Sequence, residues 1–420
     1  MDQTNVSRRG FIKTSGAVTA ATLAAMGTNY AHAAGSDVIR TGVIGCGGRG
    51  SGAAGDHIAG AGIAGVKAEI VAAGDMFPDR VSGVAKKFNL PKEKVFTGFD
   101  AYKGVLDAGV DCVILATPPG FRPFHFSAAV AAGKNVFMEK PVGTDPTALR
   151  MVFDAAKVAE EKKLCVVAGT QRRHETNYID TIKCIHDGEI GDVVHMSVYW
   201  NGGGIWFNKR QPGMTDMEAQ LRNWYHYVWL CGDQICEQHV HNLDVMCWVM
   251  KSHPSSAYGL GGRQCRDKEG QVPGEIWDHF GIEYEFPNGG RALSFCRHWP
   301  QSTENVSEYA IGTKGTSNPG GWVQPFGGQR KGFGNKRSGY QQEHADLLTA
   351  ITSGKPINEA KQVAESTLTA VMGRMSCYTG KKVSWDQAYN SKLDIFPKEL
   401  SMDAKVPAPH VPQPGEEKLI

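Results

Sequence analysis

Residues 38–58 read VIRTGVIGCGGRGSGAAGDHI, a short β-branched run that passes into glycines and then into small residues typical of a helix start. Gly45, Gly47 and Gly50 form the pattern GxGxxG directly after the predicted strand. In this pattern the first glycine permits a tight turn, the second lets the backbone approach a pyrophosphate, and the third allows close packing of helix on strand. The helix N-terminus then faces the anion. Because glycine-rich turns are common, the pattern carries weight only through the strand and helix around it.

A second predicted strand, AEIVAAGD, ends in Asp75, near the spacing of about 20 residues expected for a ribose-binding acid. A carboxylate at this point accepts hydrogen bonds from the 2′- and 3′-hydroxyls of a ribose and repels a 2′-phosphate. The pattern therefore favours NAD over NADP. Arg49, inside the glycine loop, leaves NADP open as the alternative because its charge suits a phosphate.

Strand and helix patterns alternate from this loop onward. Apolar strands are predicted in VDCVILATPP, NVFMEKPVG and LCVVAGTQRRH, with helices in FRPFHFSAAVAAG and LRMVFDAAKVAEEKK. Continuous apolar strands between helices predict an α/β fold with a parallel, doubly wound sheet over residues 36–175. Ligands of such sheets bind beyond the carboxyl ends of the strands. The sequence places five candidate residues at those ends: Gly45, Asp75, Thr117, Lys140 and Gln171.

Lys140 lies between the apolar run NVFM and Pro141. A lysine in a loop is most often a solvated surface charge. At a strand end beside the expected nicotinamide, its ammonium group would instead hydrogen-bond a substrate hydroxyl and stabilise the alkoxide that forms as hydride leaves. Lys140 is therefore a candidate catalytic residue.

Residues 237–244, EQHVHNLD, precede the apolar run VMCWVM, and their apolar steps predict a helix. On that helix Glu237, His241 and Asp244 share one face, and His239 points away from it. A metal site using both histidines needs a strand or an irregular turn, so we predict no metal. An acid–base pair needs one face only: His241 would accept a hydroxyl proton while Glu237 or Asp244 orients the imidazole. A histidine satisfied by hydrogen bonds at a helix start is the alternative from spacing alone.

The second half of the chain changes to strands with period-two alternation, as in VVHMSVYW, FGIEYEF and GRALSFCRHW. Two of these runs join across PNGG, which is typical of a hairpin. Residues 176–395 are therefore predicted to form a second domain with a mixed or antiparallel sheet. The proline-rich residues 396–420 are predicted to be an extended tail, either lying on a neighbouring surface or without fixed structure.

Two runs hold candidate substrate contacts. RNWYHYVWL contains Trp224, Tyr225 and His226, and Arg173 and His174 lie just past a strand of the first domain. Aromatic residues in such a run most often form a core or an interface. In a carbohydrate-binding domain they also stack on a sugar ring, while arginine and histidine hold its hydroxyl groups.

The N-terminus predicts export. SRRGFIK at residues 7–13 places two arginines before the mild apolar stretch SGAVTAATLAAMG, and AHA at residues 31–33 supplies a cleavage pattern. This order predicts a signal over residues 1–35 that is read by the twin-arginine export machinery, and its apolar stretch is too short for a permanent membrane span. The 45 Lys and Arg residues nearly balance the 43 Asp and Glu residues, so no nucleic-acid partner is predicted. The ten cysteines form no CxxC pair and are predicted to be buried thiols.

Six motifs, taken in order, make the chain resemble the Gfo/Idh/MocA family, which includes glucose–fructose oxidoreductase and inositol dehydrogenase. They are GVIGCGGRG, AGDMFPDR, ATPPGFRPFH, AAGKNVFMEKPV, GTQRRH and EQHVHNLDVMCWV, and the resemblance covers most of residues 37–395. It implies an N-terminal Rossmann domain. It also implies a C-terminal α+β domain whose open, mainly antiparallel sheet carries the substrate and often mediates homo-oligomerisation.

The resemblance also implies site residues. Lys140 matches the lysine of the family's EKP motif, and Glu237 and His241 match its helical acid–histidine pair, with glutamate where members usually have aspartate. The implied cofactor-binding residues are Gly45, Gly47, Gly48, Arg49, Gly50, Asp75, Thr117, Pro118, His125, Glu139, Lys140 and Gln171. The candidate substrate-binding residues are Arg173, His174, Trp224, Tyr225, His226 and His239.

Export limits the function. Outside the cytoplasm no nicotinamide pool regenerates a dissociating cofactor, so NAD is predicted to be tightly bound and to return to its starting redox state in each cycle. We predict an oxidoreductase that transfers hydride between a carbohydrate or polyol hydroxyl and this NAD. The alternatives are a redox-neutral, NAD-dependent glycoside hydrolase or lyase that acts through a keto-sugar, and a nucleotide-bound sugar sensor without chemistry.

Overall fold

The computed structural model describes residues 6–7, 38–268, 274–406 and 408–418. Apart from residues 6 and 7, the predicted export signal lies outside this part of the chain. The described residues form a six-stranded sheet, a nine-stranded sheet and a short strand pair that includes β1 (Val6–Ser7).

The first domain is a parallel sheet covered by helices. Its strands are β2 (Val38–Ile44), β3 (Lys67–Asp75), β4 (Val95–Thr97), β5 (Cys112–Leu115), β6 (Asn135–Met138) and β7 (Val166–Ala168). Its helices are α1 (Gly48–Ala64), α2 (Pro78–Lys87), α3 (Ala101–Asp107), α4 (Arg122–Ala131) and α5 (Pro146–Glu161). The order β4-β3-β2-β5-β6-β7, with every neighbouring pair parallel, confirms the predicted Rossmann sheet.

Side chains of β5 alternate between two hydrophobic clusters. Val113 and Leu115 pack into one cluster, and Cys112 and Ile114 pack into the other. All four are fully buried because helices cover both faces of the sheet. This explains the continuous apolar run of the sequence, and ligands of such sheets bind beyond the carboxyl ends of the strands.

The second domain carries the remaining helices and strands. Its helices are α6 (Thr176–His186), α7 (Asp216–Arg222), α8 (Val228–Cys231), α9 (Gln234–Glu237), α10 (Val240–Met250), α11 (Cys265–Lys268), α12 (Gly339–Ser353), α13 (Ala360–Thr379) and α14 (Trp385–Asn390). Its strands are β8 (Val193–Gly202), β9 (Ser256–Gly262), β10 (His279–Glu285), β11 (Arg291–His298), β12 (Asn305–Gly312), β13 (Gly315–Asn318), β14 (Trp322–Pro325), β15 (Lys331–Gly332), β16 (Val383–Ser384) and β17 (Glu399–Leu400), of which β17 pairs with β1.

The nine-stranded sheet is mixed and mainly antiparallel, in the order β15-β14-β13-β12-β8-β11-β10-β9-β16. Its parallel pair is β8 with β11. Along β10 every second residue is buried, which is the alternation expected of a sheet with one covered face. The prediction of an open, mainly antiparallel sheet in this domain is therefore confirmed.

Helix α12 packs on the Rossmann domain although its sequence lies within the predicted second domain. A Cβ atom added to Gly60 of α1 would lie 2.8 Å from the backbone nitrogen of Ala345 in α12, so the two helices are in backbone contact. Leu347 and Leu348 of α12 complete the hydrophobic cluster on that face of the parallel sheet. The chain thus returns to its first domain after building the second.

Helix α13 joins the two domains. Arg374 of α13 is buried and donates hydrogen bonds to the carbonyl oxygens of Thr144 and Gly232, at 2.7 and 2.8 Å. The tail lies against the end of the same helix and against the residues just before β10: Gly415 N donates to Thr379 O, and Trp277 Nε1 donates to Pro412 O. All ten cysteines are free thiols, and none of the described helices is long and apolar enough to cross a membrane.

Candidate active site

A cavity of about 850 Å³ lies between the carboxyl ends of the Rossmann strands and the second domain, and we call it the cleft. It is lined by all twelve residues that the motifs suggested for cofactor binding: Gly45, Gly47, Gly48, Arg49, Gly50, Asp75, Thr117, Pro118, His125, Glu139, Lys140 and Gln171. Glu237, His241 and Trp224 line it from the second domain. The predicted ammonium and imidazole groups therefore reach one cleft from separate domains.

The glycine loop is shaped for close approach of a ligand. Gly45 has φ of +95°, and a Cβ atom there would lie 2.5 Å from the backbone of Ala116 and Thr117. A Cβ atom on Gly50 would overlap the carbonyl oxygen of Gly45, so α1 packs against the loop only without side chains. Because α1 begins at Gly48 and no side chain caps it, its free amide groups are available to a pyrophosphate. These residues fit a dinucleotide.

Asp75 is buried at the end of β3 and lines the cleft. Its Oδ2 accepts a hydrogen bond from Cys46 N at 2.6 Å, and its Oδ1 accepts one from Phe77 N at 2.9 Å. Burial raises the pKa of Asp75, and these backbone donors act in the opposite direction. Each carboxylate oxygen keeps further lone pairs, as a ribose diol requires.

Arg49 is paired with carboxylates. Its Nε lies 2.9 Å from Glu139 Oε1, its Nη2 lies 2.8 Å from Asp56 Oδ2, and its guanidinium is stacked over the ring of Tyr340. A guanidinium neutralised by two carboxylates is a weaker site for a 2′-phosphate than a free one.

Lys140 forms an ion pair with Glu237 across the two domains. Its Nζ lies 3.3 Å from Glu237 Oε1 and also donates to the main-chain oxygen of Glu237, and both side chains are nearly buried. The Lys140–Pro141 peptide is cis. Burial raises the pKa of Glu237, and the charge of Lys140 acts against that rise. Among the described residues, Glu237 Oε2 has no hydrogen-bond partner, so no other group competes for this carboxylate through that atom. The ion pair therefore fixes the ammonium group of Lys140 at the cleft wall.

His241 presents a neutral imidazole to the cleft. Burial lowers the pKa of His241 well below its ordinary value, and the charges of Lys140 and Arg172 lower it further. Its ring stacks on Trp200 at a centroid distance of 5.8 Å. None of the described side chains hydrogen-bonds this ring, so the imidazole is free to accept a proton from a ligand.

The prediction that Glu237 or Asp244 orients this imidazole is wrong in the structure. Helix α9 ends at Glu237 and α10 begins at Val240, so the expected continuous helix is broken and its common face is lost. Glu237 pairs with Lys140 instead. Asp244 accepts hydrogen bonds from Arg173 at 2.8 and 3.0 Å, away from the cleft wall.

His239 does not line the cleft. Its ring is fully buried and hydrogen-bonded to Ser294 Oγ at 2.8 Å, because the turn between α9 and α10 directs it into the domain core. In the described part of the chain, no three histidine, cysteine or acidic side chains are arranged to hold a metal ion.

Most of the other substrate candidates are also core residues. Tyr225 contacts His298, and His226 contacts the main-chain oxygen of Trp206. Trp224–His226 is a single 3₁₀ turn whose three side chains point in different directions, so Trp224 alone faces the cleft.

Arg173 and His174 are likewise engaged in ion pairs outside the cleft. Arg173 pairs with Asp244. His174 lies 2.6 Å from Asp346 and 3.5 Å from Glu359, and although burial acts against it, these carboxylates raise the pKa of His174 to about 9. Both residues therefore hold the two domains and α12 together.

The sequence analysis did not identify several cleft residues, among them Arg122, Arg172 and Trp200. Arg122 lies inside the quoted motif FRPFH; it is buried and donates to the carbonyl oxygens of Thr117 and Pro141, and burial lowers its pKa to about 10. Arg172 precedes a predicted candidate and pairs with Glu308. Trp200 lies near the end of β8, where period-two alternation indicates a strand but not which strand end reaches the cleft.

Comparisons with known proteins agree with this architecture. Residues 39–170 match the GFO_IDH_MocA family, described as an oxidoreductase family with an NAD-binding Rossmann fold, and residues 179–317 match the GFO/IDH/MocA C-terminal domain. Residues 5–25 match the signal sequence of the twin-arginine translocation pathway, which indicates export by that route.

Among curated relatives, inositol 2-dehydrogenase 1 of Saccharopolyspora erythraea is 33% identical over 177 residues, which are 41% of this chain and 50% of that protein. The scyllo-inositol 2-dehydrogenase (NAD(+)) of Bacillus subtilis is 30% identical over 199 residues, 46% of this chain and 50% of that protein. The chain thus spans about half the length of the curated relatives it matches.

The crystal structure of an aldose-aldose oxidoreductase from Caulobacter crescentus, complexed with glycerol, superposes with a TM-score of 0.65 at 16% identity. The match covers 82% of this chain and 99% of that one, and it shows a shared fold. With a matching model for each of its two domains, the chain belongs to the Gfo/Idh/MocA oxidoreductase family.

Proposed function

We propose that the exported protein is an enzyme that transfers hydride between a hydroxyl group of a carbohydrate or polyol and NAD. The observation that carries this proposal is the presence of Lys140 and His241 on the wall of the cleft that the glycine loop also lines. The names of the two inositol dehydrogenase relatives support a cyclic polyol as the first substrate class to test.

The glycine loop would hold the pyrophosphate and Asp75 a ribose, and the Lys140 end of the cleft would receive the nicotinamide. When bound, NAD supplies the hydride acceptor. The ion pairs of Arg49 with Asp56 and Glu139 favour NAD over NADP, since they neutralise the cation inside the glycine loop. We propose that this NAD stays bound through export and is returned to its starting redox state by a second substrate.

In the proposed reaction His241 accepts a proton, and Lys140 stabilises a negative charge. His241 is neutral, so its imidazole accepts the proton of the substrate hydroxyl as the carbon–hydrogen bond breaks. Lys140 donates a hydrogen bond to the same oxygen and stabilises its developing negative charge. Glu237 keeps the ammonium group in place, which is a positioning role.

We also propose that the protein is a homo-oligomer joined through the open face of the mixed sheet. On that face Leu260 is 71% exposed and Tyr258 is 61% exposed, and Leu260 lies in register with Gly281 and Phe295 on the neighbouring strands. Leu260→Glu should place a charge in this contact and reduce the molar mass measured by light scattering to that of one chain. Ile63→Glu, a change at another exposed apolar position away from this sheet, should leave the mass unchanged. An oligomer that survives Leu260→Glu would rule out this face.

The decisive experiment starts from the mature protein purified without added nucleotide. Mass spectrometry of the molecules released on denaturation should find NAD or NADH, close to one per chain. Addition of myo-inositol, scyllo-inositol or an aldose should reduce the bound NAD, seen as the absorbance of reduced nicotinamide, and a keto-sugar should reverse it. Absence of any nucleotide would reject the proposal. Product formation from a glycoside without net reduction would identify the redox-neutral reaction instead.

A further inference from the structure

A segment of the second domain forms part of the wall of the cleft. It runs from α7 through the 3₁₀ turn Trp224–His226 to α8. At one end Leu221 and Trp224 line the cleft together with Phe77 and Asp75, the predicted ribose-binding carboxylate. At the other end the chain touches the 3₁₀ turn Pro119–Phe121 that follows β5, because a Cβ atom added to Gly120 would overlap the carbonyl oxygen of Trp229. A bound dinucleotide would therefore lie beside the part of this segment that holds Leu221 and Trp224.

Arg222 fastens this segment to the Rossmann domain. Its guanidinium carbon lies 3.9 Å above the ring centroid of Phe77, and its two Nη atoms lie 3.3 Å from the two carboxylate oxygens of Asp79. Its Nε donates to Glu218 Oε1 at 2.9 Å, which fixes the side chain on α7. The neighbouring carboxylate of Asp79 has its pKa lowered by this guanidinium, so the pair is charged at neutral pH.

Phe77, on which Arg222 stacks, is part of the predicted nucleotide site. Phe77 N donates a hydrogen bond to Asp75 Oδ1, and the ring of Phe77 lines the cleft. Arg222 therefore joins the second domain to the Rossmann domain at the end of the cleft where Asp75 would hold the adenosine ribose. A planar cation on an aromatic ring with a carboxylate beside it is favourable but reversible, which suits a closure that must open for loading.

We infer that Arg222, Phe77 and Asp79 form a latch between the two domains that retains the dinucleotide. The inference rests on the proposed function only in requiring that NAD occupies the cleft. It assigns to Arg222 a positioning role in cofactor retention, without contact with the reacting atoms. An enzyme exported with a single molecule of NAD depends on slow release, and the latch supplies a physical cause for it.

The test measures cofactor exchange rather than turnover. Purified mature protein carrying its own NAD is placed in an excess of isotopically labelled NAD, and mass spectrometry follows the replacement of one by the other. Arg222→Ala should accelerate exchange about tenfold, the change that corresponds to about 1.4 kcal/mol of lost contact. Asp79→Asn changes a largely exposed side chain and should accelerate exchange less than Arg222→Ala does. Arg222→Lys should give a rate between those of Arg222→Ala and Asp79→Asn, because a lysine keeps the charge but loses the planar stacking.

Arg210→Ala is the matched control. Arg210 lies on the loop that leads into α7 and pairs with Asp216 at 2.6 Å, but this ion pair stays within its own segment. Arg210→Ala should exchange NAD at the rate of the unaltered protein. The latch is overturned if Arg222→Ala and Asp79→Asn exchange at the unaltered rate, or if Arg210→Ala accelerates exchange as much as Arg222→Ala does.

Melting temperatures of the nucleotide-free variants separate retention from general stability. If Arg222 acts as a latch, Arg222→Ala should exchange NAD faster while its nucleotide-free melting temperature stays nearly unchanged. Faster exchange together with an equivalent drop in the nucleotide-free melting temperature would contradict the latch. The proposed function fails separately: a protein whose NAD exchange responds to Arg222 but which oxidises no polyol or sugar keeps the latch and loses the proposed reaction. If no NAD binds, both proposals are rejected together.

Discussion

The charge of Lys140 is compensated by Glu237, which ties the proposed catalytic group to the stability of the domain contact. Lys140→Met should reduce turnover by about a hundredfold to a thousandfold, since it removes a donor aimed at a developing negative charge. It should leave NAD bound. It should also lower the free energy of unfolding, because Glu237 is left buried without its cation.

The double variant Lys140→Met, Glu237→Gln separates these two effects. The neutral amide removes the uncompensated carboxylate, so the free energy of unfolding should recover while turnover does not. Single-turnover reduction of the bound NAD measures the chemical step, and urea unfolding measures the stability. Unchanged turnover in Lys140→Met would remove Lys140 from the mechanism, whatever happens to the stability.

Among the elements, the contact between α1 and α12 depends on a glycine. A Cβ atom on Gly60 would lie 2.8 Å from Ala345 N and 2.9 Å from Gln341 O, both backbone atoms that cannot yield alone. Gly60→Ala should therefore destabilise the protein by about 1–3 kcal/mol, as overpacking does. Gly62→Ala on the same helix meets no atom within 4 Å and should stabilise it by about 0.5–1 kcal/mol, because alanine restricts the unfolded chain. Urea unfolding of both variants tests the contact, and a stabilising Gly60→Ala would contradict it.

The same elements show what the sequence predicts and what it does not. The strand ends at Gly45, Asp75 and Lys140 follow from local patterns, since an apolar run and the turn after it lie in a few neighbouring residues. The packing of α12 on α1 depends on residues far apart in the chain, and no local pattern of α12 indicates which sheet it covers. The placement of Tyr225 in the core escaped the sequence for a different reason. In a short 3₁₀ turn, a shift of one position along the chain decides whether a ring faces the cleft or the core, and composition does not carry that information.

For the whole molecule, stability against pH follows from several buried histidines with a lowered pKa and from His174, whose pKa is raised. Burial lowers the pKa of His125 and His239 to about 3, and that of His57 and His226 to about 4. Below pH 6.5 the unfolded chain binds protons at these positions that the folded protein does not, so stability falls as the pH falls. Each contributes about 1.4 kcal/mol per pH unit. Buried acids with a raised pKa, such as Glu275 at about 7, oppose this loss in part.

His174 makes the stability of the protein depend on pH on the alkaline side. Its pKa is raised to about 9 between Asp346 and Glu359, so its stabilisation is fully present below pH 6.5 and is lost as the pH rises through 9. Together these histidines place the maximum of stability near neutral pH. His174→Gln should lower the free energy of unfolding by about 3 kcal/mol at pH 6 and by much less above pH 9. Urea unfolding at pH 5, 6, 7 and 9.5 measures both limbs. A difference between His174→Gln and the unaltered protein that is as large at pH 9.5 as at pH 6 would mean that packing, rather than the charge of His174, holds α12 to the first domain.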